Sequence, residues 1–71
     1  MEIIYSSHAQ KRMRERKISK TDVVLTIRDP NKQTSADRNR IIIQKKFGIR
    51  TLELIYVIEN SKIIVITLYY L

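Results

Sequence analysis

No cysteine occurs in the 71 residues, which excludes disulfide frameworks and thiolate metal sites together. Tryptophan is absent as well, and glycine and proline occur once each, as Gly48 and Pro30. A chain so poor in breakers, with 44% hydrophobic and 30% charged residues, reads as a packed domain rather than a disordered segment. Its length leaves room for one core, so residues 1–71 are expected to form a single domain. Long apolar runs are missing: a bilayer span needs about 20 such residues, and the stretch from Ile55 to Leu71 is broken by Glu59, Asn60, Ser61 and Lys62. Met1 to Tyr5 gives way at once to Ser6, Ser7 and His8, so no signal peptide is expected here. The expectation is a soluble, cytoplasmic protein with no membrane contact.

Acidic residues are scarce, seven against fourteen Lys and Arg, for a net charge of +7. Polyanions are therefore the first partners to consider. The excess is local. Lys11, Arg12, Arg14, Arg16, Lys17 and Lys20 face Glu15 alone between His8 and Lys20, and Arg38, Arg40, Lys45, Lys46 and Arg50 bracket a later hydrophobic run. Such clusters either bind phosphates or form a solvated face, and composition does not choose between them.

Periodicity divides the chain in two. Glu2 to Tyr5 suits a short strand. Ser7 followed three residues later by Gln10 is a capping-box pattern that opens a helix from about His8 to Lys17, with Ala9 and Met13 on its inward seam. Ser19 and Asp22 repeat the start signal, Val23, Val24 and Ile27 follow, and Pro30 closes a second helix. Asn31 to Asn39 is polar and aperiodic, a surface loop with room for an edge strand. Arg40 to Phe47, Thr51 to Glu59 and Lys62 to Leu71 then alternate as strands, separated by Gly48-Ile49-Arg50 and Asn60-Ser61. The predicted class is α+β: a short N-terminal strand, a two-helix hairpin and a three-stranded antiparallel meander. That meander is apolar on both faces, and two short helices cover only one. A homodimer through the sheet, or a protein partner, is the expected cover for the other unless a strongly twisted sheet and the loop bury it.

Chemistry has few residue types to draw on. One histidine with scattered acids offers no metal-ligand spacing, no paired carboxylates and no cofactor site, and Gly48 alone builds no phosphate loop. An enzyme made of His, Arg, Lys and Tyr is narrowed to phosphodiester cleavage that uses a 2′-hydroxyl as internal nucleophile. His8, in the first turn of a helix, is the one candidate general base, and Arg12 lies four residues on along the same face. The alternative is an exposed histidine with no chemical role.

The spacing His8-Ala9-x-x-Arg12-Met13-x-x-Arg16-x-Ile18, with Val23, Asp29-Pro30 and the closing Ile64-Val65-Ile66-Thr67-Leu68-Tyr69, resembles a small family of unassigned function within the RelE/ParE toxin superfamily. The likeness runs from about Ile4 to Tyr70. It departs at Lys17, where that pattern often has glycine. The resemblance implies a RelE-like fold, an antitoxin partner and metal-independent endoribonuclease activity on RNA, free or ribosome-associated. It marks His8, Arg12, Arg16 and Thr67 as polar positions. Combined with the charge pattern, the catalytic candidates are His8, Arg12, Arg16 and Lys46. The nucleic-acid-binding candidates are Lys11, Arg38, Arg40, Lys45, Arg50 and Thr67. A non-catalytic nucleic-acid-binding module and a protein-interaction domain remain open beside the nuclease.

Overall fold

The computed structural model describes residues 1–71 as an α+β domain of two helices and a five-stranded mixed sheet. The elements are β1 (Glu2–Tyr5), α1 (Ser7–Arg16), α2 (Lys20–Arg28), β2 (Lys32–Ala36), β3 (Arg40–Phe47), β4 (Arg50–Glu59) and β5 (Lys62–Tyr70). Their order across the sheet is β1-β5-β4-β3-β2, with β1 parallel to β5 and the other neighbours antiparallel.

The helix boundaries follow from their caps. Ser6, one residue before the expected Ser7, is the cap of α1: its Oγ accepts from Ala9 N at 3.0 Å and donates to Ile66 O at 2.8 Å. Gln10 Nε2 donates to Tyr5 O, and the predicted Ser7–Gln10 capping box does not form, because with Ser6 as the cap the third helical position is Ala9. α1 ends at Lys17, whose φ of 54° places it in the left-handed region while Ile18 N donates to Met13 O. That is the conformation glycine takes without penalty, and here a lysine adopts it. α2 starts as predicted, with Ser19 Oγ accepting from Asp22 N. The buried Thr26 hydroxyl is satisfied by Asp22 O at 2.7 Å.

Two expectations need correction. The helices find their partners in the sheet rather than in each other: α1 lies on β5 and β1, α2 on β3 and β4, so no packed helical hairpin forms. The three antiparallel strands β3, β4 and β5 do not stand alone: β2 and β1 flank them in one five-stranded sheet. β2, Lys-Gln-Thr-Ser-Ala and exposed throughout, is a strand only because its backbone pairs with β3 from Gln44 to Arg40. Its side chains carry no strand signal. β1 becomes the other border by pairing with Lys62 to Val65, at the far end of the chain.

Register divides the sheet into two unlike faces. Ile43, Leu52, Leu54, Tyr56, Ile63, Val65 and Leu68 point toward the helices and form the core with Ala9, Ile18 and Val23. Ile42, Ile55, Val57 and Ile64 alternate with them on the open face and are half-buried, with Ile4 exposed beside them. A bulge interrupts β5: Ile55 pairs with Thr67 and Tyr56 with Val65, which leaves Ile66 as the extra residue.

Candidate nucleic-acid interface

β1 pairs with β5 only as far as Val65, and the chain then turns at Ser6 into α1. The first turn of α1 is thereby held beside the second half of β5, by Ser6 N to Val65 O and Ser6 Oγ to Ile66 O. The bulge matters at this point. With regular alternation after Val65, Thr67 would take the core side; the extra residue gives that place to Leu68, fully buried, and leaves Thr67 opposite Ile55, beyond the part of β5 that β1 pairs with. His8 Nε2 lies 3.0 Å from Thr67 Oγ1, and the imidazole is exposed. The hydroxyl fixes the ring, donating or accepting according to the tautomer.

The predicted cations do not all join this pair. Arg12, half-buried, and Lys11 and Arg16, exposed, follow His8 along α1. The Arg50 guanidinium stacks on the Tyr70 ring at 3.6 Å, three residues beyond Thr67 on β5. Lys45 is engaged away from this pair: it faces α2, where Nζ donates to Asp29 O at 2.8 Å and meets Asp29 Oδ2 at 3.2 Å. Its side chain is 17% exposed and serves as a tie between β3 and α2. Lys46 is exposed, pairs with Thr51 and projects from the open face, two strands from β5. Arg38 and Arg40 stand at the β2–β3 turn, on the opposite border of the sheet. A single cleft uniting His8 with the strand cations, which the sequence suggested, is therefore not what the fold builds. Alternation on β3 sends Lys45 and Lys46 to opposite faces, and strand order carries both away from α1.

The matched family model spans residues 5–70, from the last residue of β1 to the last of β5. The chain belongs to the domain of unknown function DUF4258. No curated protein and no solved structure matches it. The match takes in both helices and the His8–Thr67 pair, so this DUF4258 domain contains the polar centre within its matched length. No helix of it is long and apolar enough to cross a membrane.

One polar cluster of the DUF4258 domain escaped the sequence reading. Glu53, on the open face, accepts from Gln44 Nε2 at 2.7 Å through one oxygen and from the Tyr69 hydroxyl through the other. That hydrogen bond, with burial and the Glu53 charge adding to it, pushes the Tyr69 phenol up to about 12. Gln44, Glu53 and Tyr69 form one cross-strand row, visible only once the register of three strands is known. Burial also raises the Tyr5 phenol, which packs against the core under the Lys20 ammonium, 5.7 Å from the ring centre.

Proposed function

We propose that this DUF4258 domain is a toxin-like, RNA-directed protein with a RelE-like fold that cleaves RNA without metal, through His8. The observation that carries the reading is the exposed His8 imidazole, oriented by Thr67 at 3.0 Å at the head of a helix bearing Lys11, Arg12 and Arg16. In that arrangement Arg12 and Arg16 hold the scissile phosphodiester while His8 takes the proton of the adjacent 2′-hydroxyl. The 2′-oxygen attacks phosphorus, the 5′-oxygen leaves with a proton from water, and the products are a 2′,3′-cyclic phosphate and a 5′-hydroxyl. Lys46 has no part in this step, because it stands on β3, two strands away from Thr67 on β5. The open apolar face is the place for the antitoxin or second copy of the chain that this reading includes, and the cytoplasm is its compartment.

The test is incubation of the purified protein with RNA in EDTA. Cyclic phosphate ends should appear, His8→Ala should abolish them, and Thr67→Val should slow their formation by about tenfold, as expected for loss of a general base's orientation. Cleavage that persists in His8→Ala removes the mechanism.

A second reading, RNA binding without turnover, is favoured by one observation. The two hollows on the surface are lined by Ser35, Ala36, Asn39, Arg40, Ile41 and Ile58 and by Lys20, Thr21, Val24, Leu25 and Arg28, and neither includes His8. Catalytic sites are usually concave. Salt-dependent binding with no cyclic product selects this reading.

A further inference from the structure

The helices are too short to cover the whole sheet. α2, at 1.5 Å per residue, reaches about 14 Å, whereas β4, at about 3.3 Å per residue, runs to about 33 Å. At the end where β2 turns into β3, the helix-side face is consequently left open, and Ile58 stays 48% exposed two residues after the buried Tyr56. The hollow there measures about 380 Å³ and is lined by Ser35, Ala36, Asn39, Arg40, Ile41 and Ile58. That volume falls within the range of about 300–1,000 Å³ that small-molecule sites occupy.

Three features point to what it takes. Its floor is aliphatic, from Ile41 and Ile58, while Ser35 and Asn39 bring a hydroxyl and an amide that both donate and accept. Arg40 lines it, Arg38 stands in the adjoining turn, and neither is ion-paired: the molecule's salt bridge joins Lys45 to Asp29. The turn itself is held in a costly form. Arg38 and Asn39 take φ of 61° and 59°, with Arg40 N donating to Asp37 O. The β4–β5 turn takes the same form with Asn60 and Ser61 at φ 50° and 60°, so the arginine at Arg38 is what distinguishes this one. An arginine thus occupies a backbone position where glycine is the inexpensive residue, in the turn that adjoins the hollow.

We infer that this hollow is a nucleotide subsite: it takes one unstacked nucleotide of a single-stranded RNA, the base against Ile41 and Ile58 and the phosphate on Arg40. The inference rests on the RNA-directed reading above and adds a second contact on the opposite border of the sheet from His8. Ser35 and Asn39 meet the base edge, and Arg38 meets the neighbouring phosphate.

The experiment is titration of isotope-labelled protein, followed by amide shifts, with uridine monophosphate, inorganic phosphate and a short oligouridine. It is repeated for Arg40→Ala, Ile58→Ser and Arg12→Ala after each variant is shown by thermal melting to be folded. The nucleotide should shift Asn39, Ile41 and Ile58 more than phosphate does. Arg40→Ala should weaken oligouridine binding about fivefold and lower the slope of log affinity against log salt by about 0.7. Ile58→Ser should weaken binding without changing that slope. Shifts confined to α1, with Arg40→Ala and Ile58→Ser binding normally, overturn the subsite and leave the RNA-directed reading standing. Normal binding by Arg12→Ala with losses in the other two upholds the subsite and removes the helix-centred site. Equal shifts from phosphate and nucleotide, or no binding of any probe, overturn the subsite.

Discussion

The two faces of the sheet are built from the same aliphatic residues and have different fates. Leu54 and Ile55 are neighbours on β4. Leu54 is fully buried against the helices, whereas Ile55 is half-buried on the open side. Ile43 and Ile42 repeat the contrast on β3. Strand-forming side chains therefore do not themselves define a core; what separates the faces is where α1 and α2 come down. The largest expected effect tests this directly. Leu54→Ala removes buried contacts and leaves a cavity, at a cost of about 2–5 kcal/mol in urea unfolding. Ile55→Ala should cost about 1 kcal/mol or less in the isolated monomer. Equal losses at the two positions would mean that the open face is covered in solution, and a concentration-dependent midpoint would identify a second copy as the cover.

A smaller effect sharpens the covered side, because the helices reach it through one strained residue. Lys17 must adopt a left-handed conformation for Ile18 to enter the core, where it is 4% exposed. Lys17→Gly relieves that strain but gives the unfolded chain more freedom, so the net gain is expected to be up to about 1 kcal/mol. A destabilised Lys17→Gly would show that the lysine side chain makes up for its backbone.

These particulars also show what could be read from the chain alone. Ser19–Asp22, Pro30, Gly48 and Asn60-Ser61 act within a few residues of themselves, and the elements they delimit were legible. Asn60 and Ser61 both take positive φ, as a two-residue hairpin turn demands. β2 was legible only as room for an edge strand within a polar loop, because its exposed, polar side chains reflect solvent and only its backbone belongs to the sheet. The parallel pairing of β1 with β5 joins residues 60 apart, and no local pattern encodes it. At the candidate site the spacing of His8, Arg12 and Arg16 survived, since one helix carries all three. The union with Lys45, Lys46, Arg38 and Arg40 did not, since it depends on strand order and on which face each lysine takes. The bulge at Ile66, which frees Thr67 for His8, has no marker in the run Ile63 to Leu68.

The smallest expected effect belongs to the open face and to the acid in its apolar row. Tyr69 holds its proton up to about pH 12 because its hydroxyl donates to Glu53, whereas an unfolded tyrosine ionises near 10. A folded pKa above the unfolded one means that the interaction contributes its full stability below about pH 10 and loses it as pH climbs toward 12. Ultraviolet titration of tyrosinate in the native protein should therefore contain, besides the raised Tyr5, a residue that ionises near 12 and is absent in Tyr69→Phe. Glu53→Gln should return that ionisation toward 10, since it removes the charged acceptor while keeping the shape of the side chain. Both substitutions should flatten the alkaline fall in stability only slightly, because the pair is partly exposed and solvent screens it. If Glu53→Gln leaves the late ionisation in place, burial rather than the carboxylate holds the proton. The open face would then shield Tyr69 from water more than a bare surface allows, and the contrast between the two faces would be weaker than their exposures indicate.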